Sequence, residues 1–469
     1  MGFIKNLPFF AINPILLMVG ISTLVLFFFS SLRHSLFHSG AWDLGIFDQA
    51  VYLISQGVIP NSSFTDFHIL GDHAAFILYP LSLLYRIYPD VHWLFLIQAI
   101  ALSSGAIPVF YLARQQKLND NLGHILSLVY LLSPLIFNAN LFDFHPDAIA
   151  VPSFLWAVLW ARLDKLLHFC IAVVIVLSCK AVFSLTVIAM GIWLFLFEKK
   201  LLMGSLSIVA GIVWFVIATK IIIPAIGGES ASTARHITRY ISLGSSYSEI
   251  FTNFFTKPNL FFNKVFSIDS FTYLLLLFAP FIWCWRSKNL SPLIATIPTI
   301  TMSILSDDPA QRYLANQYPL PILPFLMLIA ISNLSIADRQ KKWNLRFIVF
   351  WAALVFILMS RLNLFTWEYL DSLDTWKENN EAIALVKDQG SILTTHEIAP
   401  HVTHRLKVET TLIGDPSNLD DFDYVLLNVR YPGFGSNHDY SVDLVEKAKK
   451  IQNLQLEYQK NDVYLFAKK

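Results

Sequence analysis

The sequence predicts a mainly α-helical, polytopic transmembrane bundle of about eleven spans, followed by a small C-terminal α/β soluble domain. Three observations predict it. Charged residues make up 14% of the 469-residue chain and hydrophobic residues 55%, with a mean hydropathy of +0.55, whereas soluble domains carry roughly 25% charge. Uncharged apolar stretches recur at membrane-crossing length. From Trp376 onward the chain turns polar and alternates helix-like with strand-like runs. The 34 Lys+Arg and 33 Asp+Glu leave a net charge of +1, which supplies no field for steering nucleic acid, so no nucleic-acid partner is expected. Cys170, Cys179 and Cys284 each lie inside an apolar run, which excludes a disulfide framework and a thiolate metal cluster.

The first span covers 7–32, about 26 residues without a charge, where roughly 20 suffice to cross a bilayer core. It is longer than a signal-peptide core of about 7 to 15 residues and lacks a clean small-x-small cleavage site, so it is expected to stay as an anchor. Further spans are expected near 91–113, 122–139, 146–161, 166–179, 182–197, 201–224, 270–285, 289–305, 318–336 and 344–360. The pair meeting around Ser178 to Val182 reads as one tight hairpin. Lys and Arg in short loops are retained in the cytoplasm. Lys5, Arg114, Lys117, Arg162, Lys165, Lys199, Lys200, Arg286, Lys288, Arg339, Lys341, Lys342 and Arg346 fall on alternate loops. The N-terminus is therefore expected inside the plasma membrane and the C-terminal part outside.

The expected domains are a transmembrane part over 1–361, with long outer segments at 33–90 and 225–269, and an extracytoplasmic α/β domain over 362–469. Within the first outer segment, 74–88 is interrupted by Pro80 and carries Tyr79, Tyr85, Arg86 and Tyr88; it is short for a span and suits a helix lying at the headgroup level. In the tail, helices are expected up to 387 and near 442–451, and strands near 391–395, 424–429 and 463–467. No internal repeat or low-complexity segment interrupts this plan.

Candidate chemistry concentrates in the outer segments. Ala41-Trp42-Asp43-Leu44-Gly45-Ile46-Phe47-Asp48-Gln49 places two carboxylates just beyond the first span. On a regular helix they do not share a face. Desolvation by Trp42 and Phe47 would raise such a carboxyl toward the working range of a general base; the plainer role for Asp43 is a helix cap. Asp66, His68, Asp72 and His73, and the later Phe142-Asp143-Phe144-His145-Pro146-Asp147 turn, offer hard oxygens and imidazoles for a divalent metal, or are solvated loop residues and a cap. Asp72, His73 and Asp143 are the candidate ligands, for Mg or Mn. Arg235, His236, Arg239, Lys257, Lys264 and Arg312 provide cations suited to phosphate oxygens, or equally to lipid headgroups. GxxxxGK[ST], GxGxxG, HExxH and GxSxG are absent from the sequence, which removes support for ATP-driven transport and for hydrolases of those kinds.

The string Trp42 to Gln49, the span ending Tyr111-Leu112-Ala113-Arg114, the Phe142 to Asp147 turn, the Tyr318 to Pro324 segment and the tail Ile398 to Arg405 together resemble a family of prokaryotic multi-pass membrane proteins, of unassigned domain function, related to the GT-C glycosyltransferases. The resemblance covers nearly the whole chain. It implies an essential acid in the first outer segment, matched by Asp43 with Asp48 as the second candidate, and a second acidic motif at Asp143 or Asp147. It also implies a polyprenyl-phosphate-linked sugar as donor, drawn from the lipid bilayer. The cations Arg235, Arg239, Arg312 and Lys257, with His145 and Asp147, are the substrate-binding candidates for it. The acceptor would be a glycan, lipid or protein. Relatives tend to carry acids after the position of Lys180, where this chain has Ala181-Val182-Phe183, so Lys180 is expected to lack its usual charge partner. The alternatives are a non-catalytic lipid or polysaccharide carrier and an envelope assembly subunit.

Overall fold

The computed structural model describes residues 13–231, 234–284, 289–338, 344–387, 389–414 and 418–469, with the side chains of 229–231, 234–235 and 336–338 outside that description. Of the cations expected on the inner side, Lys5, Arg286, Lys288, Arg339, Lys341 and Lys342 therefore lie outside the described residues. The first helix, Pro14–Ser35, begins where Asn13 Oδ1 accepts from Ile15 N and Pro14 takes the first helical position, a slot that needs no N–H donor. Arg33, in its last turn, places a cation at the negative end of its dipole. Four described helices are long and apolar enough to cross a membrane: Pro14–Ser35, His92–Gln115, Asp120–Leu141 and Leu201–Gly228. Two bent pairs, Pro258–Val265 with Ile268–Cys284 and Leu345–Met359 with Arg361–Leu370, qualify if each is one span, and four shorter apolar helices lie among them. A break within 120–141 falls at Ser133, held extended before Pro134, because proline disfavours the helical region for its predecessor.

The segment 33–90, expected to lie outside, is more broken than a single interfacial helix. A π-helical turn, Ala41–Gly45, leads into the helix Ile46–Ser55, a two-residue hairpin of β1 (Asn61–Ser62) and β2 (Phe67–His68), and the helix Leu78–Ile87. That last helix is shorter than the 74–88 expected from sequence. Ala74 sits at φ 51°, and the irregular stretch around it hydrogen-bonds to the break between the helices Leu166–Cys179 and Phe183–Leu196, through Ala181 N to His73 O at 2.8 Å and Ile77 N to Ser178 O at 3.0 Å.

The tail forms a mixed sheet of β3 (Ile392–Thr394), β4 (Val408–Thr410), β5 (Tyr424–Asn428), β6 (Leu454–Lys460) and β7 (Val463–Lys468), in the order β4-β3-β5-β7-β6. β3 runs parallel to β4 and β5; β7 runs antiparallel to β5 and β6. β4 and β6 were not expected from sequence, because Val408-Glu409-Thr410 is too short to show a period and β6 is polar on its open face. Alternation sorts the central strand: Tyr424 and Leu426 pack with Ala382 of the helix Trp376–Leu385, whereas Val425 and Leu427 pack with Leu444 and Val445 of the helix His438–Ala448. Phe37 and Ala41 belong to the first of these cores, so the sheet shares its interior with the beginning of the first outer segment.

Two buried polar side chains fix the frame. Asp48, 1% exposed, accepts from Tyr85 Oη at 2.5 Å and from Thr403 Oγ1, and lies 3.2 Å from His404 Nε2. It ties Ile46–Ser55 and Leu78–Ile87 to the tail. Burial opposes its ionisation, but the His404 imidazole and the hydrogen bonds from His404, Thr403 and Tyr85 hold its carboxyl below the usual carboxylate range. Gln98, in the helix His92–Ser104, donates through Nε2 to Asn140 O at 3.1 Å and Asp143 O at 3.0 Å, and accepts from His145 N at 3.0 Å. Its amide thereby closes the turn at 140–145.

Replacing Asp48 with Ala strands buried partners, for which removal of one member costs about 3–5 kcal/mol; the tail should become open to limited proteolysis while the transmembrane part stays protected. Because the Asp48 carboxyl is depressed, this contribution is present above the ordinary Asp range and fades as pH falls through its folded value. Replacing Gln98 with Met leaves three buried backbone groups unpaired, each costing about 1–3 kcal/mol, and should lower the thermal unfolding midpoint in detergent more than Gln115→Met in the same assay.

Candidate active site

The end of the first helix, the π turn, the turn before Asp147–Arg162 and the loop after β3 converge on one hollow of about 350 Å³. Arg33, Asp43, Asp143, His396 and Glu397 contribute its polar wall, with the Trp42, Phe142 and Phe434 rings around them. The π turn places Asp43: Gly45 N reaches back to Gly40 O at 3.2 Å, a wider coil than an α turn. Gly40 N donates to Asp143 Oδ2 at 2.9 Å. A Cβ on Gly40 would stand 3.1 Å from His396 Nε2 and 3.6 Å from both Asp143 Oδ2 and Asp43 Oδ2, so three reacting-type side chains meet around a residue that has none.

Their environments differ. Asp143 is 3% exposed and its Oδ1 receives Arg33 Nη1 at 2.6 Å, so its charge is spoken for. Asp43 is 34% exposed at the side chain and lies 3.3 Å from His145 Nε2, which leaves it reachable from the hollow. His145 stacks on Phe142 with ring centroids 5.5 Å apart, and its buried Nδ1 has no hydrogen-bond partner. Burial holds the His396 imidazole below its ordinary range despite the Asp43 and Asp143 charges. Burial pushes Glu397 up to about 7 against the opposing pull of the backbone amides of Glu397 and Phe434 and of Arg33.

The other residues singled out from sequence fall elsewhere. Asp48 is separated from Asp43 and held in the clasp described above. Asp147, 3% exposed, pairs with Lys180 at 2.6 Å. This corrects the expectation that Lys180 lacks a charge partner: the acid comes from the outer turn in place of the residues after Lys180. Asp72 and His73 meet His236, the three ligand-type atoms lying within 4.8 Å of one another, with His73 and His236 rings stacked at 5.7 Å. Asp143 does not join them. The cations expected beside the acid do not line its hollow. Arg239 stands 3.9 Å from Asp308 and over the Tyr318 ring. Arg312 donates to Ser303 O at 3.2 Å and Ser306 O at 2.7 Å, and Lys264 pairs with Asp307. Lys257 is exposed at the bend before the helix Pro258–Val265, and the Arg235 side chain lies outside the described residues.

Sequence reasoning passed over Arg33, Gln98, His396 and Glu397. Arg33 ends the anchor and reads as an ordinary flanking cation. Gln98 carried a signal, being an amide within an otherwise apolar span. His396 and Glu397 directly precede the Ile398 to Arg405 string, but nothing in one sequence shows that β3 delivers them to Asp43.

Residues 33–465 match the model of a family described as predicted membrane protein (DUF2079). No curated protein matches. Two solved structures of ArnT from Cupriavidus metallidurans, one bound to undecaprenyl phosphate and one in the apo state, are similar, with TM-scores of 0.58 and 0.57, 12% identity, and 97% of this chain and of each of theirs covered. At that identity the likeness is one of fold. The chain belongs to the DUF2079 family of predicted membrane proteins and has an ArnT-like, mainly helical membrane fold.

Proposed function

We propose that this protein is a GT-C-type glycosyltransferase of the cell membrane, moving a sugar from a polyprenyl-phosphate donor to a glycan, lipid or protein acceptor on the outer face. The observation that carries the reading is Asp43, solvent-reachable in a hollow beside a buried guanidinium at the end of the first span. The fold supports it, since one ArnT structure of like architecture is bound to undecaprenyl phosphate. In this reading the 362–469 segment is an extracytoplasmic domain over a transmembrane part at 1–361, and the N-terminus is cytoplasmic.

Arg33 takes the place first given to Arg239 and Arg312. Its Nε is buried without a hydrogen-bond partner and its Nη1 is anchored by Asp143, so the guanidinium is fixed and has a donor left for a phosphate oxygen. Neutral His396 lies opposite. Asp43 orients or deprotonates the acceptor hydroxyl, which attacks the anomeric carbon on the face away from the phosphate and inverts its configuration.

Asp72, His73 and His236 fit a divalent cation by chemistry and convergence. Two imidazoles and a carboxylate suit Mn more than Mg, which prefers oxygen.

With labelled polyprenyl-phosphate sugar, Asp43→Asn should lower transfer by about 10²- to 10⁴-fold at unchanged expression; transfer at the parent rate would reject Asp43 as the acid, and lipid movement across vesicles without sugar transfer would favour a carrier. Titration of Mn²⁺ followed by electron paramagnetic resonance should show tight binding that weakens at least tenfold in His73→Ala and in His236→Ala. Equal binding by the parent and both variants would remove the ion from this cluster.

A further inference from the structure

Beside the Asp43 hollow lies a second of about 370 Å³, between the first outer segment and the C-terminal sheet. His38 and Glu397 line both, so the two hollows share a wall. Its lining differs in kind from the first. Asn428 donates to Asn379 Oδ1 at 3.1 Å and to Thr375 Oγ1 at 3.0 Å, fixing two amides. Tyr431 is held by its hydroxyl on Asp371 O at 2.6 Å. Arg430 is engaged by Asp462 and Asp374, and burial together with the Arg33 charge holds His38 down to about 4, hence neutral. Amides, hydroxyls and ring faces with neutralised charges suit a polyhydroxylated ligand better than a phosphate.

Two buried oxygens in this wall have no hydrogen-bond partner: Thr395 Oγ1, in a residue 1% exposed, and Glu397 Oε2. Such groups are costly in a folded protein unless something pairs with them. The backbone is shaped around the second: Gly433 has φ 78°, and a Cβ there would fall 2.0 Å from Glu397 Oε2. Only glycine leaves the carboxylate its place.

We infer that this second hollow is the acceptor site, taking a saccharide through its hydroxyls, and that Glu397 on the shared wall is the catalytic base. The inference rests on the glycosyl-transfer reading. The acceptor O–H gives its proton to Glu397 Oε2 as the acceptor oxygen bonds to the anomeric carbon. The bond from that carbon to the phosphate oxygen breaks with its electron pair, and polyprenyl phosphate leaves as the anion. Asp43 then orients the reacting groups from the donor side. Glu397 is faced by Arg33, Asp43, Asp143 and His396 from the first hollow, and by His38, Arg430 and Tyr431 from the second. The base must be ionised, so transfer should rise with pH through about 7.

The full chain in nanodiscs tests this. Methyl glycosides of glucose, galactose and N-acetylglucosamine, followed by saturation-transfer NMR, should bind the parent protein and lose binding in Ser372→Trp, which fills the hollow; no binding by the parent overturns the acceptor site. Glu397→Gln should lower transfer by about 10²- to 10⁴-fold, abolish the rise near pH 7 and still retain labelled polyprenyl phosphate, which shows that it folds. A parent-like rate and pH profile in Glu397→Gln overturns the base. If the parent binds saccharides but transfers none, the glycosyltransferase reading fails and the saccharide site stands.

Discussion

The site depends on one amide inside the membrane part. Gln98 satisfies Asn140 O, Asp143 O and His145 N together, in surroundings where an unpaired backbone group costs several kcal/mol. With those three atoms fixed, Asp143 can hold φ 81°, an uncommon conformation for a residue with a side chain. The same turn then presents Asp143 to Arg33, His145 to Asp43 and Asp147 to Lys180. One hydrogen-bonded turn thus joins the end of the first helix, the π turn and the break at Lys180. Through the backbone bond of Ala181 to His73, it also joins the Asp72, His73 and His236 cluster to the Asp43 hollow.

The second requirement is that the tail stay seated on the segment 33–90 that follows the first helix. Gln49 does this from the helix that follows Asp43: its Oε1 accepts from Ser62 Oγ and Ser63 N, and its Nε2 donates to Arg405 O. Ser63 Oγ in turn donates to Val408 O and accepts from Val408 N at the start of β4. The Asp48 clasp lies one residue away. These contacts hold His396 and Glu397 across from Asp43, so the hollow has walls from segments about 350 residues apart. Their loss would leave Asp43 on an open surface, where water competes with any acceptor.

The apolar segments were legible because length and absence of charge are local properties, and helices occupy them. The tail strands β3, β5 and β7 were legible for the same reason: each is a short apolar or alternating run between turn residues. β4 and β6 were not, since one is three residues long and the other is held mainly by pairing with β7. Asp43 and the Phe142 to Asp147 turn were also readable, as acids and imidazoles at the ends of spans. Their pairings were not. Lys180 looked unpartnered because its acid, Asp147, comes from another helix. Arg239 and Arg312 suit a phosphate by residue type, but Arg239 lies beside Asp308 and Arg312 donates to the carbonyls of Ser303 and Ser306. Ligation and pairing are properties of convergence, which a single sequence does not encode locally.

The carboxylates around the hollow are separated by environment, and that separation gives the site its chemistry. Asp143 is neutralised by a guanidinium within 2.6 Å. Asp43 keeps contact with solvent, and Glu397 is pushed up by burial to about 7. A carboxyl near 7 can take a proton and give it back within a cycle. Fastened Asp143 builds the wall, and in the proposed reaction Asp43 and Glu397 divide orientation and proton transfer between the hollows. In the proposed reaction the shared wall at Glu397 is where a hydroxyl held on one side would meet an anomeric carbon held on the other, and the seam between the helical part and the tail would supply the proximity.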